Sequence, residues 1–415
     1  MDEKYFKREN YLKKVRPFIK DTDLIKVITG IRRCGKSCLM KTIAQELAES
    51  GVQNDHLVFL DLDERGLRSV KTPDQLETAI EARLPQDQSK TAGPIYLFID
   101  EVQNVKDYEE VVNAYRNDGN FSVFITGSNS YLLSGELITK LTGRYIEIEL
   151  FTLSFAEYLG MRHFLGKEDT NTSQSFQDWL RYGGFPKAAE YDDFTAKSLY
   201  IEDVVEQIIK KDIYGRNKVR NKLVFEKLMT YIINNYAAPT NLSNIAVYLK
   251  NVAGISVKTQ TLASYIDLLV KAKIIYRCDR FDMKSKSSLK GGEKYYLADT
   301  GIYFARNVNA NMDYGPLLEN AVYTYLKSHD YRVSIGIIGK LEIDFIARKV
   351  NDGYSYIQVS MSIADKSVEE REYRPFQKVR DNWPQYLLTL DPLQNQRDGV
   401  KHINLIDLMA KNDGL

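Results

Sequence analysis

The sequence predicts an α/β protein whose first 150 residues form a parallel sheet flanked by helices. Short apolar runs alternate there with helical stretches, at LIKVIT (24–29), HLVFLDL (56–62), IYLFID (95–100), FSVFITG (121–127) and YIEIEL (145–150). These runs lack the polar alternation of a sheet that has one face in water. Strands buried on both faces and joined by helices are typical of a parallel sheet.

Length and composition narrow the class of protein. A chain of 415 residues is long enough for roughly two to four domains. Lys and Arg total 57 against 56 Asp and Glu, so any basic surface for nucleic acid must be local. The three cysteines, Cys34, Cys38 and Cys278, show no metal-ligand spacing and argue against a disulfide framework. Without a signal-peptide core or an apolar run of roughly 18 residues, a cytoplasmic protein that makes no membrane contact is expected.

The stretch GIRRCGKS follows the first predicted strand and matches the phosphate-loop pattern G-x-x-x-x-G-K-[ST]. It leads into an apolar helix, which favours a phosphate loop over the alternative, a basic glycine turn. Loop N–H groups can surround phosphate oxygens, Lys36 can reach the β and γ phosphates, and Ser37 can ligate Mg²⁺. The sequence therefore predicts that ATP and Mg²⁺ are cofactors. The residues expected to bind the nucleotide are Gly30, Ile31, Arg32, Arg33, Cys34, Gly35, Lys36, Ser37 and Cys38, although Arg32 and Arg33 either contact phosphate or face solvent.

Two acids, Asp100 and Glu101, end the third apolar run. In ATPases with a phosphate loop, the first acid of such a pair orients Mg²⁺ and the second polarises the attacking water. The alternative is a solvated helix N-terminus, where the helix dipole favours acids. The loop and the acid pair together predict Asp100 as a metal ligand, beside Ser37, and Glu101 as a catalytic residue, beside Lys36.

The series GIRRCGKS, FLDLD, LFIDEVQNV, FITGSNSYLLS and LTGRY resembles the AAA+-type ATPases of a widespread archaeal and bacterial family. The resemblance implies a catalytic sensor group at the end of the fourth strand, Thr126 or Ser128 with Asn129 beside it. It also implies that Arg144 stabilises transition-state charge, in cis or in trans; an ordinary surface arginine is the alternative. An arginine acting in trans requires a homo-oligomer. The motif YGGFP (182–186) extends the resemblance beyond the first 150 residues.

Residues 156–230 are predicted to form a helical lid or linker, and residues 231–300 a winged helix. NLSNIAVYL (241–249) and SVKTQTLASYIDLLVKAKII (256–275) outline a helix-turn-helix, and IIYRCDRFD to KYYLAD outlines a hairpin with a long wing. Nine basic residues against four acidic ones give residues 256–294 a net charge of 9 − 4 = +5. This charge favours double-stranded DNA as a partner, although winged helices also bind proteins. The basic residues are Lys258, Lys271, Lys273, Arg277, Arg280, Lys284, Lys286, Lys290 and Lys294.

The C-terminal region, residues 301–415, has the helix-β-β-β-helix outline of the PD-(D/E)XK nuclease fold, with Glu319 on the helix and Asp344 on a strand. Gln358-Val359-Ser360 stands where the metal-binding acid and lysine of such a nuclease belong. Glutamine binds Mg²⁺ less well than a carboxylate, and serine supplies no positive charge, so nuclease activity is not expected. Glu319, Glu342 and Asp344 either bind a metal or pair with Lys and Arg. The resembling family typically carries such a domain.

These features predict four domains: an ATPase domain (1–155), a lid (156–230), a winged helix (231–300) and a restriction-endonuclease-like domain (301–415). The expected function is Mg-dependent ATP hydrolysis coupled to rearrangement of the winged-helix and nuclease-like module on DNA. A nucleotide-gated protein-interaction switch is the first alternative. An active metal-dependent nuclease is the second.

Overall fold

The structure, a computed structural model, describes residues 4–86, 93–127, 141–167, 171–307, 311–349 and 353–415. The chain divides into two compact units, one ending at Leu150 and one beginning at Phe151. The first boundary therefore lies close to the one predicted after residue 155. The three later predicted regions share the second unit.

The first unit is built on a five-stranded parallel sheet with the order β2-β3-β4-β1-β5. The strands β1, β3 and β4 are buried along their whole length, as their continuous apolar runs predict. Helices α3 and α4 cover one face through residues such as Leu76 and Val112. The elements are α1 (Glu9–Val15), β1 (Ile25–Thr29), α2 (Lys36–Glu49), β2 (Leu57–Asp61), α3 (Pro73–Glu81), β3 (Ile95–Asp100), α4 (Tyr108–Asp118), β4 (Phe121–Gly127) and β5 (Tyr145–Glu149).

The second unit begins with helices and continues into a mixed sheet. Its helical part contains α5 (Phe155–Phe164), α6 (Thr172–Tyr182), α7 (Pro186–Ala189), α8 (Phe194–Gln207), a π-helix (Ile208–Tyr214), α9 (Lys222–Asn234), α10 (Leu242–Ala253) and α11 (Thr259–Lys271). Helices α9, α10 and α11 pack against one another. The rest is β6 (Ile275–Asp282), β7 (Ser287–Leu297), α12 (Gly301–Arg306), α13 (Tyr314–Ser328), β8 (Arg332–Ile338), β9 (Leu341–Arg348), β10 (Tyr354–Val359), α14 (Lys366–Tyr373), β11 (Gln385–Thr389), β12 (Lys401–Asn404) and α15 (Leu405–Lys411).

The hairpin β6–β7 belongs to the same sheet as the C-terminal strands. The seven-stranded order is β12-β11-β10-β9-β8-β6-β7, with β6 parallel to β8. Arg280 lies beside Ile335 in this register, and the Met283 N–H donates to the Ile337 carbonyl at 3.0 Å. The boundary predicted after residue 300 thus separates strands that the structure joins.

The order of elements from α13 onward is helix, three antiparallel strands, helix and a parallel strand. Strands β9 and β10 carry Glu342, Asp344 and Gln358, and Glu319 lies on α13. Within the described ranges, no helix combines the length and hydrophobicity that a membrane span needs.

Candidate nucleotide site

The phosphate-loop motif lies at the carboxyl edge of the first sheet, between β1 and α2. Gly30 has φ 152°, and a Cβ atom there would lie 2.2 Å from the Leu150 carbonyl oxygen. Gly35 has φ 105° and directly precedes α2. Both motif glycines are therefore required by the backbone, the first by close approach and the second by its left-handed conformation.

Lys36 begins α2 and is only 4% exposed. Its ammonium donates to the carbonyl oxygens of Gly30 at 3.2 Å and Ile31 at 3.3 Å. The lysine thus reaches back across the loop that it follows. This places its charge over the concave backbone where phosphates bind in such loops.

Ser37 and Asp100, the two predicted metal ligands, contact each other. Asp100 ends β3 and is 1% exposed, and its carboxylate accepts hydrogen bonds from the hydroxyls of Ser37 and Thr126. Burial raises the pKa of the Asp100 carboxyl, and these two hydrogen bonds lower it again only in part. Among the described residues no group of three or more His, Cys, Asp or Glu side chains is placed to hold a metal. One hydroxyl and one carboxylate nevertheless fit Mg²⁺, which usually takes its other ligands from phosphate and water.

Glu101, the second acid, leaves β3 in a left-handed conformation with φ 55°. Its N–H donates to Thr126 Oγ1 at 3.1 Å, and its carboxylate accepts a hydrogen bond from the Gln103 side chain. A non-glycine residue in this conformation is strained, and such residues cluster at functional sites. The Thr126 contact holds Glu101 in that conformation at the sheet edge.

Thr126 ties the two acids together from the neighbouring strand. It is fully buried on β4, its hydroxyl donates to Asp100, and its oxygen accepts the Glu101 N–H. Sequence analysis left Thr126 and Ser128 as alternative sensor residues. Ser128 and Asn129 lie outside the described residues. The role of Thr126 as a link between the acids follows from the adjacency of β3 and β4, which the apolar runs do not reveal.

The remaining loop positions differ in exposure. Ile31 and Cys34 are buried, so they contribute backbone groups to the loop while their side chains pack beneath it. Arg32 is half-buried, and both Arg33 and Cys38 are exposed.

Arg144 lies at the opposite edge of the sheet from the phosphate loop. It directly precedes β5, whose Tyr145 pairs with Ile25 at the start of β1, whereas Glu149 pairs with Thr29 at its end. Five residues of parallel strand separate the two edges by about 17 Å. No side chain spans that distance, so Arg144 does not reach the loop of its own chain. A role in cis therefore does not fit this position, whereas a role in trans and an ordinary surface arginine both do.

Comparison with known proteins agrees with this site. Residues 22–159 match the family described as AAA domain, and residues 173–312 match a domain of unknown function (DUF8612). An uncharacterised protein of Haemophilus influenzae is 32% identical over 412 residues, covering 99% of this chain and 100% of that protein. The chain belongs to the family of this Haemophilus protein. Its first unit carries the AAA domain that the phosphate-loop motifs predict.

More distant similarities extend the comparison. An uncharacterised protein of Methanocaldococcus jannaschii is 26% identical over 365 residues, covering 86% of this chain and 78% of that protein. The Aeropyrum pernix ORC1 protein in complex with DNA has a TM-score of 0.35 at 12% identity, covering 73% of this chain and 92% of that one. AMPPCP-bound DnaA from Aquifex aeolicus has a TM-score of 0.34 at 14% identity, covering 64% and 87%. TM-scores this low support no conclusion about the ligands or partners of this chain.

Beyond the AAA domain, the predicted acidic positions of the second unit form a centre closed by a lysine. The ammonium of Lys294, on β7, lies 2.8 Å from Glu319 Oε1 and 2.8 Å from Glu342 Oε1. Burial lowers the pKa of Lys294, but the carboxylates of Glu319, Asp344 and Glu342 raise it by more. The sequence left two roles open for Glu319 and Glu342, metal binding or pairing with a basic residue. In the structure both form ion pairs with Lys294.

Asp344 and Gln358 complete this centre. Asp344 is half-buried; its carboxylate accepts the Val359 N–H at 2.8 Å, and burial and the charge of Glu319 raise its pKa well above the usual value. Gln358 accepts the Asp344 N–H at 2.8 Å and donates to Glu372 Oε2 at 2.9 Å. The glutamine that replaces the expected acid therefore uses both its amide oxygen and its amide nitrogen in hydrogen bonds within the domain.

The basic segment 256–294 is less exposed than its composition suggests. Lys273 and Lys294 are buried, and Arg277 pairs with Asp279 and Glu293. Lys284 and Lys286, at the tip of the β6–β7 hairpin, are exposed. The net charge of the segment therefore overstates its exposed charge, because Lys273 is buried and Lys294 faces the acidic centre.

The motif YGGFP contacts a buried carboxylate that the sequence analysis did not predict as a site residue. Asp299, just after β7, accepts the N–H groups of Gly184 at 2.8 Å and Gly301 at 2.9 Å and the hydroxyl of Thr152. Burial raises the pKa of Asp299 to about 6, against these hydrogen bonds. A Cβ atom on Gly183 would lie 1.6 Å from the Asp299 carboxylate. The motif is therefore a packing point between helix α6 and the end of the hairpin.

Proposed function

We propose that the protein is a Mg-dependent ATPase whose hydrolysis cycle rearranges its second unit, with DNA as the partner. The observation that carries the proposal is the convergence of Lys36, Ser37, Asp100 and Glu101 at one sheet edge, linked by Thr126. Each of these side chains has the chemistry that phosphoryl transfer requires at its position.

The loop residues and Lys36 would bind the phosphates of ATP. Backbone N–H groups of residues 30–37 and the N-terminus of α2 attract phosphate oxygens, and the Lys36 ammonium adds a positive charge. Ser37 and Asp100 would hold Mg²⁺, which neutralises charge on the β- and γ-phosphate oxygens when it is bound. The hydrogen bond between Ser37 and Asp100 already brings both oxygens to one place.

Glu101 would orient and polarise the attacking water. Thr126 fixes its backbone, and Gln103 contacts its carboxylate. A glutamine at position 101 keeps the backbone contact with Thr126 but supplies no carboxylate to activate water. Replacement of Glu101 by Gln is therefore expected to remove hydrolysis and to retain ATP.

Arg144 would act on the nucleotide of a neighbouring copy. Its place at the edge opposite the loop supports action in trans over action in cis. This part of the proposal requires a homo-oligomer. Mixing Arg144→Ala chains with Lys36→Ala chains would restore part of the turnover if each supplies the half that the other lacks.

DNA contact is proposed for the helices α9–α11 with the β6–β7 hairpin, which follow the order of a winged helix. The exposed Lys284 and Lys286 at the hairpin tip would meet phosphates. The C-terminal strands are proposed to have a nuclease-like fold without nuclease activity, because Lys294 and Gln358 occupy the acidic centre.

A second candidate is a nucleotide-gated protein-interaction switch. One observation favours it: a groove of about 630 Å³ between α9 and α10 is lined by apolar side chains such as Tyr231 and Leu249 together with polar ones such as Asn235. Leu223 and Val252 on its rim are 59% and 68% exposed. Surfaces of this kind serve protein contacts more often than DNA contacts.

The test is ATP turnover by wild type, Lys36→Ala and Glu101→Gln, each with and without duplex DNA. The proposal expects loss of binding or hydrolysis in the first variant, retained ATP in the second, and a DNA effect that weakens with salt. Unchanged turnover in both variants would exclude the ATPase site. Turnover that is insensitive to DNA, with no salt-dependent DNA affinity, would favour the protein-interaction switch.

A further inference from the structure

An arginine from the N-terminal segment contacts the phosphate loop from beneath. Arg8 precedes α1 and is only 5% exposed. Its Nη1 donates to the Cys34 carbonyl oxygen at 3.1 Å, and its guanidinium lies 4.6 Å from the centre of the Tyr11 ring. A residue far from the motif in sequence therefore binds the backbone of the loop.

This contact sets the direction of a neighbouring N–H group. The Cys34 carbonyl and the Gly35 N–H belong to one peptide unit, and the described chain contains no cis peptide bonds. In a trans peptide these two groups point in opposite directions. With the carbonyl turned toward the buried Arg8, the Gly35 N–H points away from the core, to the outer side where phosphates would bind.

The same peptide unit would otherwise turn easily. Arg33 and Gly35, on either side of Cys34, have φ 68° and φ 105°. Glycine accepts both signs of φ, so rotation of this peptide meets little steric resistance. A rotated peptide would present the Cys34 carbonyl oxygen to a phosphate and repel it. At the other end of the loop, Gly30 is already held by its close approach to Leu150.

We propose that Arg8 is a positioning residue for nucleotide binding, which holds the peptide between Cys34 and Gly35 with its N–H toward the phosphates. The inference rests on the proposed ATPase function. It gives the N-terminal segment a role in the affinity for nucleotide, separate from the chemistry of Asp100 and Glu101.

The experiment compares Arg8→Met and Arg8→Lys with Arg16→Met as the matched control. Arg16 lies in the same segment but pairs at the surface with Glu9 and Glu46. In titrations with a fluorescent ATP and Mg²⁺, Arg8→Met is expected to bind about tenfold more weakly than wild type, as for a lost hydrogen bond to a charged group. Arg8→Lys keeps a donor and should recover part of the affinity, and Arg16→Met should match wild type.

Two further measurements separate positioning from a general loss of structure. KM for ATP should rise about tenfold in Arg8→Met with little change in kcat, because the Gly35 N–H would hold phosphate equally in the ground and transition states. Without nucleotide, the NMR signal of the Gly35 amide should shift in Arg8→Met and stay as in wild type in Arg16→Met, because only the first variant releases this peptide. A fall in kcat that accompanies a lower melting temperature than that of Arg16→Met would overturn the inference.

The outcomes also distinguish this inference from the proposed function. If wild type does not bind Mg-ATP, the proposed function fails, and an unshifted Gly35 amide signal in Arg8→Met would overturn the role of Arg8 as well. If wild type binds Mg-ATP and Arg8→Met binds it equally well, the ATPase proposal stands and the role of Arg8 is refuted.

Discussion

Replacement of Lys294 by methionine is expected to destabilise the second unit strongly. The Lys294 side chain is 5% exposed and pairs with Glu319, whose side chain is 15% exposed. Removal of one partner of a buried ion pair typically costs about 3–5 kcal/mol, because the other charge stays buried without compensation. The pair with Glu342 adds little, since the Glu342 side chain is 36% exposed and water screens it.

The ionisation of Glu319 determines how the destabilisation by Lys294→Met depends on pH. Burial already raises the pKa of Glu319 above its usual value, and loss of Lys294 would raise it further. An acid with a raised pKa in the folded state lowers stability as pH rises through that pKa. The destabilisation by Lys294→Met should therefore be larger at pH 8 than at pH 5.

Thermal unfolding of the full chain measures the effect. For a unit of this size about 1 kcal/mol shifts the melting temperature by roughly 2–4 °C, so a decrease of roughly 10 °C is expected. The double variant Lys294→Met with Glu319→Gln should recover part of the loss, because the remaining neutral amide needs no counter-charge. Lys286→Met, at the exposed hairpin tip, is the matched control. A Lys294→Met shift no larger than that of the control would refute the reasoning.

Three smaller predictions concern single contacts. Gly183→Ala should lower the melting temperature by several degrees, whereas Gly166→Ala, with the same φ of 71° but open space around it, should cost only the strain of its backbone; equal shifts would contradict the clash with Asp299. Because the pKa of Asp299 rises to about 6 on folding, the free energy of unfolding of wild type should fall by about 3 kcal/mol between about pH 4 and pH 7. Chemical denaturation of Asp299→Asn should lack this decrease. The same pH profile in wild type and Asp299→Asn would exclude a contribution from Asp299. Thr126→Val should reduce ATP turnover about tenfold or more through loss of the link to Asp100, and Thr126→Ser should retain it; equal rates would argue against the link.

The strands and the phosphate loop of the candidate site can be predicted from the sequence because their determinants are local. The five apolar runs coincide with strands, and the motif glycines meet backbone requirements within the loop itself. The contact between Ser37 and Asp100 also follows, since carboxyl ends of parallel strands meet at one edge. The order of the strands, once known, further places Arg144 at the opposite edge.

Other features depend on pairings between distant segments, which no local pattern contains. Strand β6 pairs with β8, and Arg280 meets Ile335 across 55 residues of sequence. The hairpin therefore looks like a free wing in the sequence, although one of its strands is interior. The net charge of the segment includes Lys294 as if it were on the surface, yet this lysine pairs with Glu319 and Glu342. Asp299 belongs to no sequence motif, and its contact with the glycines of YGGFP is visible only in the structure.

These pairings limit how the second unit can move. The β6–β7 hairpin is bonded to β8 along its edge and tied to α13 by Lys294, so separation of the hairpin from the C-terminal strands would expose a buried ion pair. Any rearrangement during hydrolysis should therefore carry both parts as one body. The π-helix Ile208–Tyr214 offers a different place for bending, because it joins α8 to the helices α9–α11 and interrupts regular α-helical geometry. Motion at this segment would keep the Lys294 centre intact, but it would have to break the hydrogen bond from the Gly184 N–H to Asp299, which ties the start of the second unit to the end of the hairpin.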